Sequence, residues 1–494
     1  MSVILAGAAV AGCSGDTDGD GAKSPEQAAI AAGAIIPQPL AYADFPVDST
    51  TILRWVSTAD SAQARQHAWN LWAGLTAMTS QTSNGATLPV YETWLSRYEV
   101  YNPGAASAKQ VLAARGRPLD RGFHSPVQFH HPGIFQAGSG AGNERVVAGV
   151  KYNNASARHV WTHNYTDSAT LDSLNTGFAS ASTPIADRNI IPFPDSAIAT
   201  KPVYWIVNQT GLTIMPYWAG PTATTTDSTP TPSTWTQFVA IDPTNQAAAD
   251  SVIQVQEYGQ TYTVQVIGLN QFYSFALTQD EVNDIVNPDS NQALDTEIAN
   301  DFIDVMMNGT QSLQPVNVGD FGVLVAMHVA TKEIGNWTWQ TFWWSRDPAN
   351  DPLAKDQPAS VEGPFKHFAM QQAYWMTVPN TSPVQNQVTF NPYLETAFAD
   401  SGVVSNCMSC HRMANWPGTS AGYHFYGDVD PGNAALFGDN STKLDFLWSV
   451  QAGASTAQAS LLRRIRSSSR AQPQAGTAAP PQTGSAAPAA KSAP

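Results

Sequence analysis

The residues with the clearest chemical potential lie near the C-terminus, in the stretch Cys407-Met408-Ser409-Cys410-His411. Cys-x-x-Cys-His is the attachment sequence of c-type haem: both sulfurs bond covalently to the porphyrin and the histidine ligates the iron. A thioredoxin-type redox pair does not require a histidine next, and a zinc ribbon needs a second cysteine pair, which a chain with three cysteines cannot supply. We therefore predict one covalent haem on Cys407 and Cys410, with His411 as the proximal axial ligand.

The second axial position decides between electron transfer and chemistry at the haem. Small cytochromes with a methionine ligand place it several dozen residues after the motif, but no methionine follows Met413 here. The alternatives are an open site, His424, or a ligand from upstream; the upstream candidates are His328, Met327, His367, Met370 and Met376. His328 falls in a predicted strand and is our first candidate for a distal ligand, with an ordinary packing or surface role as the alternative.

The third cysteine, Cys13, follows a short apolar run that ends in Val10-Ala11-Gly12. This arrangement resembles a bacterial lipoprotein signal in which Cys13 becomes the lipid-modified N-terminus; an ordinary buried cysteine is the alternative. Because covalent haem is attached outside the cytoplasm, both signals predict a protein in the bacterial cell envelope, facing the periplasm and tethered to a membrane by lipid. No later stretch approaches the roughly 18 apolar residues of a membrane span.

Composition narrows the class of partner. The chain has 494 residues, of which 10% are aromatic and 13% charged, as expected of a folded protein rather than a disordered one. Its net charge of −15 argues against nucleic acid as a partner, because phosphate binding requires clustered lysine and arginine. We expect a redox partner, either a protein or a small molecule.

The elements that must position the motif are mostly strands. Residues 201–208, 234–241, 251–258, 261–267 and 321–330 are short, β-branched and aromatic. Helices are predicted at 61–78, at 278–287 behind a Thr278–Glu281 capping box, at 292–307, and at 393–400 before the haem motif. We predict an α+β fold, predominantly β-rich, with a sandwich-like body and a C-terminal helical segment like that of cytochrome c.

The predicted domain order follows the same signals. A lipoprotein signal occupies residues 1–13, and a flexible tether of small and polar residues occupies 14–34. The β-rich body spans 35–385, and the haem-binding segment spans 386–466. Residues 467–494 are rich in alanine, proline and serine, and we expect them to be disordered.

Several segments resemble bacterial proteins known as cytochrome c family proteins. The similar segments are residues 150–155, 193–201, 328–332, 337–342, 407–411 and 445–449. The resemblance implies a monohaem c-type cytochrome with a C-terminal attachment motif. A fainter similarity links residues 193–201 and the haem motif to the cytochrome P460 group, and implies a haem on a β-sandwich with an open distal site.

Two further patterns have weaker chemical meaning. Residues 418–422 match Gly-x-Ser-x-Gly, but Trp416-Pro417 precedes them where a nucleophile elbow needs a strand, so we interpret them as a loop. His159 and His163 could share a helix face, yet no third metal ligand is evident, and packing histidines are the better interpretation.

These observations predict a periplasmic c-type cytochrome that transfers electrons. A haem enzyme or small-gas binder with an open distal site is the alternative from a different class. A binding or structural lipoprotein with an auxiliary haem is the third.

Overall fold

The computed structural model describes residues 34–101, 116–123, 146–218, 237–248, 250–257, 260–286, 315–395, 404–418 and 424–455. Cys13, the lipoprotein signal, nearly all of the predicted tether, the predicted helix at 292–307 and the C-terminal tail lie outside these residues. Most of the Gly-x-Ser-x-Gly stretch also lies outside them, because residues 419–423 are not described.

Strands dominate the described part of the chain. The strands are β1 (Met78–Ser83), β2 (Ala86–Pro89), β3 (Leu95–Ser96), β4 (Val146–Ala148), β5 (Lys151–Tyr152), β6 (Ile198–Val207), β7 (Thr213–Pro216), β8 (Phe238–Asp242), β9 (Val252–Glu257), β10 (Gln260–Gly268), β11 (Ser274–Ala276), β12 (Phe321–Thr331), β13 (Thr338–Trp344), β14 (Phe368–Ala373), β15 (Asn415–Trp416) and β16 (Thr442–Lys443). The α-helices are α1 (Ser49–Thr58), α2 (Ser61–Thr76), α3 (Arg97–Tyr101), α4 (Asn154–Thr162), α5 (Ser168–Ser180), α6 (Gln279–Val286), α7 (Cys407–Arg412), α8 (Ala434–Phe437) and α9 (Trp448–Ser455).

One large antiparallel sheet of eight strands organises the fold. Its order is β14-β13-β12-β6-β5-β3, with β11 paired to β12 and β4 paired to β6. A four-stranded sheet has the order β7-β8-β10-β9, and two two-stranded sheets are formed by β1-β2 and β15-β16. The fold is therefore mixed α+β and rich in strands, as the sequence predicts.

The long strands of the large sheet bury both faces. Successive side chains of a strand point to opposite faces, so Trp339 and Phe342 of β13 lie on different sides. The Phe342 ring stacks on Trp72 of α2 with 4.3 Å between ring centroids. The Trp339 ring lies 4.2 Å from the His411 ring of α7. Helix α2 therefore covers one face of the sheet, and the haem motif lies on the other.

The main predicted elements are present. All five predicted strand segments contain a strand, and α2 covers most of the predicted helix at 61–78. Helix α6 follows the predicted capping box: the Thr278 amide donates to Oε2 of Glu281 at 2.8 Å, and the Glu281 amide donates to Oγ1 of Thr278 at 3.3 Å.

The region around the haem motif differs more from expectation. Residues 393–395, the described part of the predicted helix at 393–400, form a turn closed by the Glu395 amide on the Asn391 carbonyl at 2.9 Å. After residue 404 the described chain contains the short helices α7, α8 and α9 and the β15-β16 pair. Within the described ranges, every helix is too short or too polar to span a bilayer.

Candidate haem-attachment site

The two cysteines and the histidine of the motif occupy one short helix, α7, which begins directly after Asn406. The Asn406 side-chain oxygen accepts hydrogen bonds from the amides of Met408 at 2.9 Å and Ser409 at 3.3 Å. An asparagine in this N-cap position satisfies amides that have no partner within the helix. The residue immediately before the motif therefore starts the helix that presents the motif.

Asn406 also ties α7 to the rest of the fold. It is fully buried, and its side-chain nitrogen donates to the carbonyls of Gln387 at 2.8 Å and Trp375 at 3.2 Å. Its own amide donates to the Phe425 carbonyl at 2.7 Å. Three segments that are distant in sequence thus converge on the first residue of the site.

No disulfide joins Cys407 and Cys410. Burial, and then the nearby Glu395 carboxylate, raise the pKa of Cys407 well above its ordinary value and the pKa of Cys410 to about 12. Catalytic redox cysteines have the opposite property, a lowered pKa that favours the thiolate. The surroundings of this pair therefore do not favour thioredoxin-type chemistry.

The histidine of the motif is oriented by a backbone carbonyl. Nδ1 of His411 lies 2.9 Å from the carbonyl oxygen of Phe446, and since a carbonyl only accepts, Nδ1 carries the proton. Burial lowers the pKa of His411 to about 3, with smaller contributions from the charges of His328 and Lys201. The imidazole is therefore neutral at ordinary pH, with its Nε2 lone pair available to a metal.

The exposure of the motif residues indicates a cleft between α7 and the sheet. Cys407, Cys410 and His411 are each partly exposed, although burial dominates all three pKa shifts. A side chain that is both surrounded by protein and reached by solvent lines a cleft. On the facing sheet, His328 of β12 and Lys201 of β6 are direct cross-strand partners. Each is partly exposed within an otherwise buried run of its strand, so the cleft reaches the sheet at this pair.

His328 faces the same side of the sheet as Trp339, because its partner Thr341 is two residues from Trp339 on β13. Its Nε2 lies 2.8 Å from Oε1 of Glu395. Its Nδ1 is buried and has no hydrogen-bond partner among the described residues. The structure thus brings His328 near His411, and it adds a carboxylate partner that the sequence did not suggest.

The other candidate ligands separate into a group that lies away from the motif and a group that lies nearer to it. The first group is Met327, Met370 and His367, and the second is Met376 and His424. Met327 and Met370 are fully buried and occupy the α2 side of the sheet, since each pairs with Phe342. His367 lies immediately before β14, at the end of that strand far from the motif. The strand rises roughly 17 Å over its length. Met376 belongs to the same apolar cluster as Met408 and Trp339, and His424 is next to Phe425, whose carbonyl bonds Asn406.

Sequence reasoning missed Glu395, Phe446 and the role of Asn406. Asparagine immediately before a helix is a recognisable N-cap signal, so Asn406 could have been found. The Phe446 contact uses a backbone carbonyl, which every residue has, and therefore leaves no mark in the sequence. Glu395 lies in a turn after the sheet, and its approach to His328 depends on tertiary packing alone.

Other histidines do not add a metal site in the described ranges. His159 and His163 have ring centroids 4.5 Å apart, and Nε2 of His159 lies 3.0 Å from the Ile191 carbonyl. No group of three or more histidine, cysteine, aspartate or glutamate side chains in the described part of the chain could hold a metal ion on its own.

Searches of the whole chain against protein-family models, curated proteins and solved structures returned no match.

Proposed function

We propose that this protein is a c-type cytochrome that carries one haem, bound covalently by Cys407 and Cys410, and transfers electrons. The observation that carries the proposal is the hydrogen bond from Nδ1 of His411 to the Phe446 carbonyl at 2.9 Å. Metal-ligating histidines characteristically donate a hydrogen bond from their second ring nitrogen in this way. That bond fixes the tautomer and orients the ligating nitrogen. The two thiols on the same helix supply the other half of the donor set that haem c requires.

The residues around the cleft suit a haem. When bound, haem supplies a one-electron Fe(III)/Fe(II) couple. Trp339 packs on the His411 ring, and the buried apolar cluster around Met408 excludes water from this side of the cleft. Water exclusion and a fixed ligand both influence a haem potential. Residues 386–466 would form a haem segment like that of cytochrome c, against a sandwich-like body.

We propose His328 as the distal ligand, since it faces the cleft from a central strand of the sheet. Its neighbours on both sides, Lys201 and Thr341, are fixed by strand pairing. A ligand held by a sheet moves little when the iron changes charge, which favours rapid electron transfer. Glu395 would then hold the second nitrogen of His328, as Phe446 holds that of His411.

A second candidate function is a haem enzyme or small-gas binder with an open distal site. The contact between Nε2 of His328 and Glu395 at 2.8 Å favours it, because an imidazole paired with a carboxylate is a common general acid–base arrangement. An optical spectrum distinguishes the two functions. Low-spin, six-coordinate bands support electron transfer, and high-spin bands support the open site.

We also propose that the protein faces the periplasm in the bacterial cell envelope, anchored by lipid on Cys13, with a redox partner that is a protein or a small molecule. The Val10-Ala11-Gly12-Cys13 sequence supports the anchor. Mass spectrometry of exported protein should find a lipid-modified Cys13 at the N-terminus; an unmodified Met1 or a free Cys13 thiol would contradict the anchor.

Acidic acetone extraction tests the covalent haem. Purified, denatured protein should keep its colour, because thioether bonds survive conditions that release non-covalent haem. Replacing Cys407 and Cys410 together with alanine should remove the retained colour from correctly exported protein. Complete loss of native colour to the solvent would refute covalent attachment.

A further inference from the structure

The carbonyl that orients His411 belongs to an unusual turn, residues 444–447. Asp445 has φ +47° and Phe446 has φ +70°, and the Leu447 amide donates to the Leu444 carbonyl at 3.0 Å. Two successive positive φ angles with this closure define a turn of the type I′ class, which glycine and asparagine favour. For a bulky residue such as phenylalanine this conformation is strained, so other contacts must hold it.

The Asp445 side chain provides those contacts. Its Oδ1 lies 2.5 Å from Nζ of Lys332, and its Oδ2 accepts a hydrogen bond from the Phe193 amide at 2.8 Å. The side chains of Lys332 and Asp445 are only 7% and 9% exposed. Solvent therefore screens the pair little, and breaking it from one side would leave a buried charge without a partner.

Lys332 also contacts the segment that leads to Trp339. Its Nζ donates to the Gly335 carbonyl at 2.9 Å and lies 5.6 Å from the centre of the Trp337 ring. Trp337 itself has φ +58°, and two residues later Trp339 lies against the His411 ring. One ion pair thus fixes both the loop that positions Trp339 and the turn that positions the Phe446 carbonyl.

We propose that Lys332 and Asp445 are positioning residues that set the reduction potential of the haem by holding the Phe446 carbonyl against Nδ1 of His411. The proposal rests on the proposed haem function. A strong Nδ1–H bond raises the basicity of a ligating imidazole, and a more basic ligand stabilises Fe(III) over Fe(II). The ion pair therefore keeps the potential lower than it would be with a mobile turn.

A charge-neutral double variant, Lys332→Met/Asp445→Ala, separates positioning from simple electrostatics. It removes one positive and one negative charge and destabilises the turn, because alanine tolerates φ +47° less well than aspartate. The matched control is Arg65→Met/Asp356→Ala. That pair is joined at 3.2 Å, its aspartate has φ +67°, and Arg65 belongs to α2, on the far side of the sheet.

The measurement is the midpoint potential of the purified, haem-containing proteins. We expect the Lys332/Asp445 variant to shift positively, by up to a tenfold change in the Fe(III)/Fe(II) equilibrium, which is about 59 mV for one electron. The control should keep the native potential. NMR should also show faster solvent exchange of the His411 Nδ1 proton in the first variant only.

An unchanged potential and proton exchange in a folded, haem-containing double variant would overturn the proposal and reduce the pair to a stabilising role. Native protein without covalent haem would instead overturn the proposed function. Should the double variant fail to fold, the direction of the potential shift in Lys332→Gln tests the proposal. Loss of a positive charge alone lowers the potential, whereas a loosened turn raises it, and a lowered potential would contradict positioning.

Discussion

At the scale of single residues, His328 decides how the haem would be used. It reaches the cleft from β12 and contacts Glu395 through Nε2, so it can serve either as an axial ligand or as an acid–base group. Met327 and Met370 lie on the other side of the sheet, which leaves few competitors in the described chain.

We predict that His328→Ala converts a low-spin spectrum to a high-spin one, because it removes the proposed sixth ligand. His424→Ala should leave the native spectrum unchanged, and His367→Ala, beyond the far end of β14, is the matched control. A spectrum that changes with His424→Ala and not with His328→Ala would refute the assignment. A high-spin native spectrum would favour the enzyme.

Lys151 gives a prediction about pH. Its side chain is buried and donates to the Asp120 carbonyl at 2.6 Å, and burial lowers its pKa to about 8. Between about pH 8 and the ordinary lysine pKa near 10.4, the unfolded chain binds this proton and the folded chain does not. The contribution of Lys151 to the free energy of unfolding therefore rises with pH across this window.

Denaturant titrations of native protein and Lys151→Met at pH 7 and pH 9.5 measure that contribution. The stability difference, native minus variant, should increase by roughly 1–2 kcal/mol between the two pH values. Lys366→Met, at an exposed position, should follow the native pH dependence. If Lys151→Met also follows the native pH dependence, the buried lysine is not the source of the rise in stability with pH.

At the scale of elements, α7 is too short to be stable alone and depends on its N-terminal contacts. Asn406 caps the helix and donates to two carbonyls of the body. Asn433 caps α8 through one side-chain contact, with the Ala435 amide at 2.9 Å. Each asparagine therefore caps its own helix, but the two differ in their tertiary contacts.

Asn406→Ala should lower the free energy of unfolding by about 2–4 kcal/mol, because it removes the cap and leaves buried carbonyls without donors. Asn433→Ala should cost about 1 kcal/mol or less. Thermal or chemical unfolding of the two variants makes the comparison. Equal losses would mean that the contacts of Asn406 with Trp375 and Gln387 contribute little.

At the scale of the whole molecule, the strands could be predicted because they have a local signature, and a local signature also supports the prediction of a haem-attachment motif. Covalent haem needs fixed residue types at fixed spacing, and β-branched runs such as 321–330 indicate strands without knowledge of their partners. The Lys332–Asp445 pair joins residues 113 apart in the chain. Such contacts depend on which strands become neighbours, and a single sequence does not encode that locally.

The same limit applies to the turn at residues 393–395, where a helix is predicted. Its local residues are compatible with a helix, but the Asn391 side chain donates to Oγ1 of Thr341 at 2.8 Å and to the Phe342 carbonyl at 2.9 Å. These bonds to β13 fix the chain in a turn and place Glu395 beside His328. Tertiary contacts therefore fix the conformation of residues 391–395, and residues 396–400 of the predicted helix lie outside the described residues.

The most direct test of the central claim is mass spectrometry of the proteolytic peptide that contains residues 407–411. The account predicts a single peptide mass that includes one haem joined to both Cys407 and Cys410, with no alkylatable thiol. A peptide with two free thiols or a disulfide, from protein purified out of a host that assembles c-type cytochromes, would contradict it.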